Sequence, residues 1–125
     1  MADDQNFEVD QGATWRVQLY WTDESEVAVD LTGYSARMQV RRRVTDTSAL
    51  LELTTTNGRI TLYTGSLPGG SDPYNILLEV GADVMEDLPA TPQDRRWFYD
   101  LEMVNGSEVT RLLQGRFIVN PEVTR

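Results

Sequence analysis

The chain has 125 residues and a mass of 14.2 kDa, enough for one domain (1–125) with its own core, and 40% hydrophobic content excludes disorder of the whole chain. It contains no cysteine and no histidine, which removes disulfides, thiolate metal sites, the commonest general base and the commonest transition-metal ligand. The net charge of −9 argues against binding nucleic acid or an anionic membrane surface.

The N-terminal segment is acidic and polar. It has neither the basic nor the apolar region of a secretory signal, and no apolar run in the chain reaches membrane-spanning length. We expect a soluble protein made in a cytoplasm, with residues 1–10 forming a loose arm. Within that arm, Phe7 and Val9 are spaced to pair with an edge strand.

The first strong strand signal lies at residues 14–21. Trp15, Val17, Leu19 and Trp21 alternate with polar residues, which is the period of a half-buried strand. An aromatic platform for carbohydrate would need exposed rings, whereas this alternation places both tryptophans inward. Core packing is therefore the preferred interpretation of the two tryptophans.

An acidic loop follows at residues 22–30. Asp23, Glu24 and Glu26 are oxygen ligands of the kind that Ca²⁺ prefers, but the spacing of a calcium loop with its central glycine is absent. We interpret the loop as a solvated acidic turn, and we predict no metal site and no cofactor. Gly33 then permits a tight corner into the next strand.

A basic stripe lies on the predicted strand 35–43. Alternation turns Ala36, Met38 and Val40 toward the core and leaves four polar side chains facing away: Arg37, Gln39, Arg41 and Arg43. One interpretation is a solvated face that discourages aggregation. The other is a docking site for an acidic partner, because arginine is enriched at interfaces. These four residues are the candidate partner-binding residues.

The middle of the chain reads as further strands and turns. Asn57-Gly58 separates runs 50–55 and 59–64, which predicts a hairpin that brings Leu51 and Leu53 opposite Ile60 and Leu62. A Gly/Pro loop follows, and its Gly69-Gly70 pair lacks the helix and lysine of a phosphate cradle. Residues 74–80 predict a strand, and residues 82–88 predict one or two helical turns ended by a proline.

Residues 95–119 predict a long hairpin with its turn at Asn105-Gly106. In the first arm, the inward side carries Trp97, Tyr99, Leu101 and Met103, and the outward side carries Asp100 and Glu102. In the second arm, period-2 counting places Arg111 on the same side as Leu113, Phe117 and Val119, with Gln114 and Arg116 opposite. Pro121 ends the strand and leaves a short tail, 120–125.

Together these signals predict an all-β fold. Seven or eight strands with short connections and one helical turn favour an antiparallel β-sandwich of immunoglobulin-like topology. Because the chain has no cysteine, antibody-type domains match only in shape.

Three phrases, read in order, carry a family resemblance. They are DLTGYSARMQVR at 30–41, YDLE at 99–102 and TRLLQG at 110–115, preceded by Gln11-Gly12. From Gln11 to Val119 the chain resembles the small β-sandwich domains of tailed-phage virion proteins, such as the N-terminal anchoring domains of baseplate and tail-fibre proteins. The resemblance implies a virion protein whose partners are tail, baseplate or fibre subunits, present in several copies as a homo-oligomer.

The leading function is therefore a non-enzymatic adaptor in the tail, baseplate or fibre-attachment region of a virion. The alternatives are a capsid decoration or cement protein bound to capsid protein, and a carbohydrate- or receptor-binding module. An enzyme would have to rest on the neighbouring carboxylates of Asp100 and Glu102, because histidine and cysteine are absent. Outward carboxylates on a strand usually serve solubility, so we predict no catalytic residues.

Overall fold

A computed structural model describes residues 3–43 and 45–123. Over these residues it contains nine strands and one short helix. In chain order they are β1 (Asp3–Asp4), β2 (Phe7–Asp10), β3 (Trp15–Leu19), β4 (Ser35–Arg41), β5 (Leu51–Thr54), β6 (Ile60–Leu62), β7 (Ile76–Val80), α1 (Ala82–Glu86), β8 (Arg96–Asn105) and β9 (Glu108–Asn120). No helix in this described part is long and apolar enough to cross a membrane.

The strands form two sheets. The large sheet has the order β1-β9-β8-β4-β5, with β2 following β1 along β9, and the small sheet has the order β3-β7-β6. This is the order of an immunoglobulin-like sandwich, whose strands, lettered A to G along the chain, place B, E and D in one sheet and C, F and G in the other. Here β3, β7 and β6 take the places of B, E and D, and β4, β8 and β9 those of C, F and G. The predicted all-β sandwich is confirmed, and so is the long hairpin, whose turn lies at Gly106 and Ser107.

The core lies between the two sheets. Alternation of apolar and polar residues along β4, β8 and β9 turns one side chain in two inward, and the inward set is removed from water. Its most deeply buried members include Met38, Leu53, Ile76, Leu101, Met103 and Phe117. Trp15 and Leu19 are only partly buried, and Trp15 packs edge-on against Phe7 and Phe117.

The prediction of a loose N-terminal arm is wrong for the described part of residues 1–10. β1 and β2 pair in parallel with β9, with Phe7 opposite Phe117 and Val9 opposite Val119. Phe7 and Val9 are buried, so they hold the segment against the core as their spacing suggested. Residues 1 and 2, and 124 and 125 of the predicted tail, lie outside the described residues.

The close approach of this segment depends on Gly115. A Cβ atom at Gly115 would lie 2.2 Å from the backbone oxygen of Gln5, so only glycine fits where the N-terminal segment runs beside this part of β9. The Tyr99 hydroxyl donates a hydrogen bond of 2.5 Å to the same oxygen. Burial, and secondarily the charge of Asp4, raises the pKa of Tyr99, so the hydroxyl keeps its proton.

The predicted hairpin at Asn57-Gly58 is also wrong, although its two strands exist. β5 pairs with β4 in the large sheet, whereas β6 pairs with β7 in the small sheet, so the chain crosses between sheets at this turn. The apolar residues of both strands still reach the core, because they face it from opposite sheets. The turn itself is built on the Asn57 side chain, which bonds to the backbone of Thr54 and Glu52.

A β-bulge at Leu112 corrects the assignment of Arg111. Leu101 pairs with Leu113, but the next residue, Glu102, pairs with Arg111, so Leu112 is the extra residue. A bulge shifts the alternation by one position. Arg111 therefore faces away from the core with Glu102, rather than inward with Leu113.

The described core holds one fully buried polar side chain, Asn75. Its amide oxygen accepts from the Trp21 backbone N–H at 2.9 Å, and its amide nitrogen donates to the Trp21 carbonyl at 2.9 Å. Both hydrogen-bonding groups are thus satisfied, which offsets the cost of burial. The pair extends the small sheet past Leu19 and fixes the position of Trp21.

Candidate docking surface

The outer face of the large sheet carries the predicted site residues. We define the outer face as the solvent-side residues of β4, β8 and β9: Arg37, Gln39, Arg41, Arg96, Phe98, Asp100, Glu102, Arg111, Gln114, Arg116 and Ile118. Five arginines lie there against two carboxylates, in a protein whose net charge is −9. The central part of this face is therefore positive on an acidic molecule.

The structure brings together three of the four candidate partner-binding residues. Arg37, Gln39 and Arg41 alternate along β4 on the outer face. Arg43 does not join them, because β4 ends at Arg41 and the chain turns away. In that turn, the backbone N–H of Arg43 donates to the carboxylate of Asp46 at 3.2 Å. The observed stripe therefore has three residues, one fewer than predicted.

One half of the outer face is internally paired. Arg37 Nε lies 2.8 Å from Glu102 Oε1, and Arg111 lies 3.6 Å from Asp100 and 3.9 Å from Glu102. We call these four residues the paired half. Exposed ion pairs of this kind contribute about 0–1 kcal/mol each, so their main effect is to neutralise charge.

The pKa of Asp100 reflects opposing effects from its neighbours in and around the paired half. Burial, and then the nearby charge of Glu102, raises its carboxyl pKa above the ordinary value. The guanidinium groups of Arg111, Arg41 and Arg37 act in the opposite direction and do not cancel these two effects.

The other half surrounds an exposed phenylalanine. Phe98 is 36% exposed and lies between Arg41 on β4 and Arg116 on β9, with the Arg116 guanidinium 5.0 Å from its ring centre. Arg96 lies two residues along the same face of β8. Within residues 3–43 and 45–123, none of these three arginines takes part in an ion pair. We call Arg41, Arg96, Phe98 and Arg116 the Phe98 patch.

The surface around Phe98 is open and concave. One depression of about 370 Å³ lies on the β9 side and a smaller one of about 170 Å³ lies on the β4 side. Arg41 is held in place by donating to the Gln39 side chain and, at 2.6 Å, to the Asp46 carbonyl. Neither acceptor is ionised, so these two bonds do not neutralise the positive charge of Arg41, which also acts through space on the carboxylate of Asp100.

Part of the backbone at the β5 edge of the large sheet is already hydrogen-bonded. In an antiparallel pair, every second residue of a strand bonds to its neighbour strand, and the residues between point their backbone groups the other way. The Thr55 N–H donates to the Ala36 carbonyl, so Glu52 and Thr54 are the residues of β5 whose backbone groups point away from β4. Asn57 accepts from Thr54 N–H at 3.0 Å and donates to the Glu52 carbonyl at 3.0 Å. Arg59 also donates to that carbonyl at 2.8 Å. An incoming strand would find these groups taken.

The opposite edge is guarded by charge. β1 and β2 carry exposed carboxylates at Asp3, Asp4, Glu8 and Asp10. Acidic side chains along an edge strand discourage pairing with another acidic chain. Of the two large-sheet edges, one is partly capped and the other is acidic, so within this sheet the outer face is the broader surface open to contacts.

The acidic loop forms a rigid hairpin tip at residues 23–27. The Asp23 carboxylate accepts from the backbone N–H groups of Ser25 and Val27, and Thr22 pairs with Ala28 below the turn. Asp23 is therefore used to hold the turn. In the part of the chain that the structure describes, no group of three or more carboxylates has metal-binding geometry.

The tip presents both charge and apolar surface. Glu24 and Glu26 are exposed, and so is Val27, with 59% of its surface accessible. Glu26 adopts a φ of 62°, an uncommon conformation for this residue, which directs the tight reversal of the chain. We call residues 23–27 the acidic tip.

Sequence patterns pointed to part of the outer face. They placed Arg37, Gln39, Arg41 and Arg116 outward, and all four lie there. They did not single out Arg96 or Phe98, although the alternation that buries Trp97 and Tyr99 requires both to face outward. The ion pairs of Arg111 were missed because the bulge changes its side of the sheet.

Comparisons with known proteins give a structural likeness only. No family model and no curated protein matches the sequence. Among solved structures, the chain is similar to the second Ig domain of the mouse polymeric immunoglobulin receptor, with 12% sequence identity and a TM-score of 0.43. The alignment covers 98% of this chain and 100% of that one.

Proposed function

We propose that this protein is a non-enzymatic structural subunit of a tailed-phage virion, an adaptor in the tail, baseplate or fibre-attachment region. It docks to neighbouring subunits through the outer face of the large sheet. The partners are other virion proteins, and several copies are arranged around a symmetry axis.

The observation that carries the proposal is the position in the fold of the three sequence phrases on which the family resemblance rests. Residues 30–41 form the corner before β4 and β4 itself, residues 99–102 form the centre of β8, and residues 110–115 form the bulged part of β9. These strands are adjacent, in the order β9-β8-β4. Phrases far apart in sequence thus lie on three neighbouring strands, and their outward residues share one face of the sheet, which supports docking as a common property.

The charge of that surface supports the same role. Arginine and aromatic residues are enriched at protein interfaces relative to the rest of the protein surface. Among the described residues, the guanidinium groups of the Phe98 patch form no ion pair and surround an exposed ring, whereas Glu102 is paired with Arg37 and Arg111, and Asp100 with Arg111. Carboxylates held in this way stabilise charge on the face and offer no free acid–base pair, which agrees with a structural role.

Quantitative mass spectrometry of purified particles tests the proposal. We expect the protein in mature virions at a small fraction of the major capsid protein, because a tail adaptor repeats around one axis only. A ratio near one copy per capsid subunit would reject the tail assignment in favour of a capsid decoration protein. Absence from particles would reject both.

A second candidate is a receptor-binding module, favoured by one observation. Leu19, Tyr20, Trp21 and Leu112 line an open depression of about 280 Å³ between the two sheets, and Tyr20 is 46% exposed. Aromatic side chains at the mouth of a depression suit sugar rings. Titration of the purified protein with host surface glycans, followed by tryptophan fluorescence, checks this candidate. An unchanged spectrum at saturating glycan removes it.

A further inference from the structure

We propose that the occupant of the Phe98 patch is a second copy of this chain, whose acidic tip binds the patch head to tail. The inference rests on the proposed docking role of the outer face and names its partner. It is tested on the purified protein alone, so its failure would leave the virion assignment open to its own test.

The two surfaces are chemically complementary. The patch offers the guanidinium groups of Arg41, Arg96 and Arg116, which form no ion pair within residues 3–43 and 45–123, around an exposed ring. The acidic tip offers the carboxylates of Glu24 and Glu26 beside the exposed side chain of Val27. Each surface thus joins charges of one sign to a single apolar contact, and the signs are opposite.

The tip is also preformed for such a contact. Backbone hydrogen bonds from Asp23 to Val27, from Glu26 to Asp23 and from Val29 to Trp21 close the turn at 2.8–3.0 Å. The Trp21 ring packs edge-on against Tyr34 at 5.7 Å, which ties the base of the hairpin to the sandwich. A rigid segment loses less conformational entropy on binding than a flexible one.

Geometry prevents the tip from reaching the patch of its own chain. Trp21, at the base of the hairpin that carries the tip, packs against Tyr34, next to Ser35 at the start of β4, whereas the patch includes Arg41 at the end of that strand. The seven residues of β4 span six steps of about 3.3 Å, which separate its two ends by about 20 Å. The complementary surfaces therefore meet only between chains.

A contact between different surfaces of identical chains is heterologous. Such contacts close into rings when the rotation between copies allows it, and otherwise form open filaments. A ring is the arrangement expected for a protein placed around the axis of a tail. Each junction is exposed and mostly electrostatic, so we expect weak association that salt reverses.

Charge reversal in two separate variants tests the contact. Variant A carries Arg96→Glu and Arg116→Glu, and variant B carries Glu24→Arg and Glu26→Arg. We expect the wild type to self-associate at low ionic strength in sedimentation velocity and to dissociate at high ionic strength. Each variant alone should lose about tenfold or more in association constant, since two exposed pairs become repulsive.

Mixing the variants is the decisive measurement. In an equimolar mixture, the acidic patch of variant A faces the basic tip of variant B, and the reverse contact remains wild type, so association should return. Arg37→Glu with Arg111→Glu is the matched control, because it makes the same charge change on the paired half of the same face; its association should stay within about threefold of wild type.

Three results would overturn the proposal. The first is a wild type that stays monomeric at low ionic strength, which would assign the patch to a different acidic protein. The second is a mixture that remains monomeric like its components. The third is a control that loses association as strongly as variant A, since the effect would then belong to the overall charge.

Discussion

The two faces of β8 differ in what they do, although their residues alternate along one strand. On the inner face, Leu101 and Met103 are fully buried against the small sheet. On the outer face, Asp100 and Glu102 are partly exposed and paired with arginines of the flanking strands. Burial of apolar surface is worth far more to folding than exposed ion pairs. The inner face therefore holds the fold together, and the outer face contributes little to its stability.

The largest loss of stability is expected from a substitution on the inner face. Leu101→Ala should lower the free energy of unfolding by about 2–5 kcal/mol, because it removes buried methyl groups and leaves a cavity. The neighbouring substitution Glu102→Ala is the matched control and should cost no more than about 1 kcal/mol. Urea denaturation of both variants gives the comparison. Equal losses would mean that the two faces do not divide their roles in this way.

A second substitution acts where the N-terminal segment lies closest to β9. Gly115→Ala should cost about 1–3 kcal/mol, because its Cβ would overlap the Gln5 backbone and force β1 away. Gly81→Ala is the control, since Gly81 has a φ of −69° and its Cβ would meet only the mobile carboxylate of Asp83. Hydrogen exchange should show protection lost in residues 3–10 of the first variant alone. Unchanged protection there would contradict the close approach.

The smallest effect concerns the outer face and its dependence on pH. The folded-state pKa of Asp100 is raised, so the folded protein holds this proton more tightly than the unfolded chain does. The contribution of Asp100 to stability therefore falls as pH rises from 3.8 through the raised pKa. The stability of wild type minus that of Asp100→Asn should decline across this acid range, as measured by urea denaturation at several pH values.

Asp30 provides a control of opposite sign. The side chain and backbone of Thr32 donate hydrogen bonds to the Asp30 carboxylate, which lowers its pKa below 3.8. Its contribution is present above 3.8 and is lost as pH falls through the lowered pKa. The difference between wild type and Asp30→Asn should therefore rise with pH. Two slopes of the same sign would contradict the assigned causes.

Much of the fold followed from local patterns. Alternation predicted the strands that became β3, β4, β7, β8 and β9 within a few residues, and it predicted that Met38, Leu101 and Phe117 are buried. It succeeded because the period of a strand is a local property. The helical turn predicted at residues 82–88 is present as α1, because its start and stop signals are also local.

The errors share a physical origin in non-local structure. Asn57-Gly58 signals a reversal of the chain, but the reversal does not determine which sheet the next strand joins. Period-2 counting assumes an unbroken ladder, so it could not place Arg111 across the bulge at Leu112. For the same reason, the ion pair between Arg37 and Glu102 follows only from the register of two strands about 65 residues apart.

The parallel pairing of β2 with β9 has a mechanical consequence. Because the two strands run in the same direction, a pull applied between Asp3 and Asn120 slides one strand along the other. The hydrogen bonds between them, from Gln5 to Gln11, are then loaded simultaneously in shear rather than opened one after another. The buried rings of Phe7 and Phe117 resist the same displacement. Tension along the chain therefore acts on all of these hydrogen bonds and on the Phe7–Phe117 packing at once, and they must break together before the strands separate.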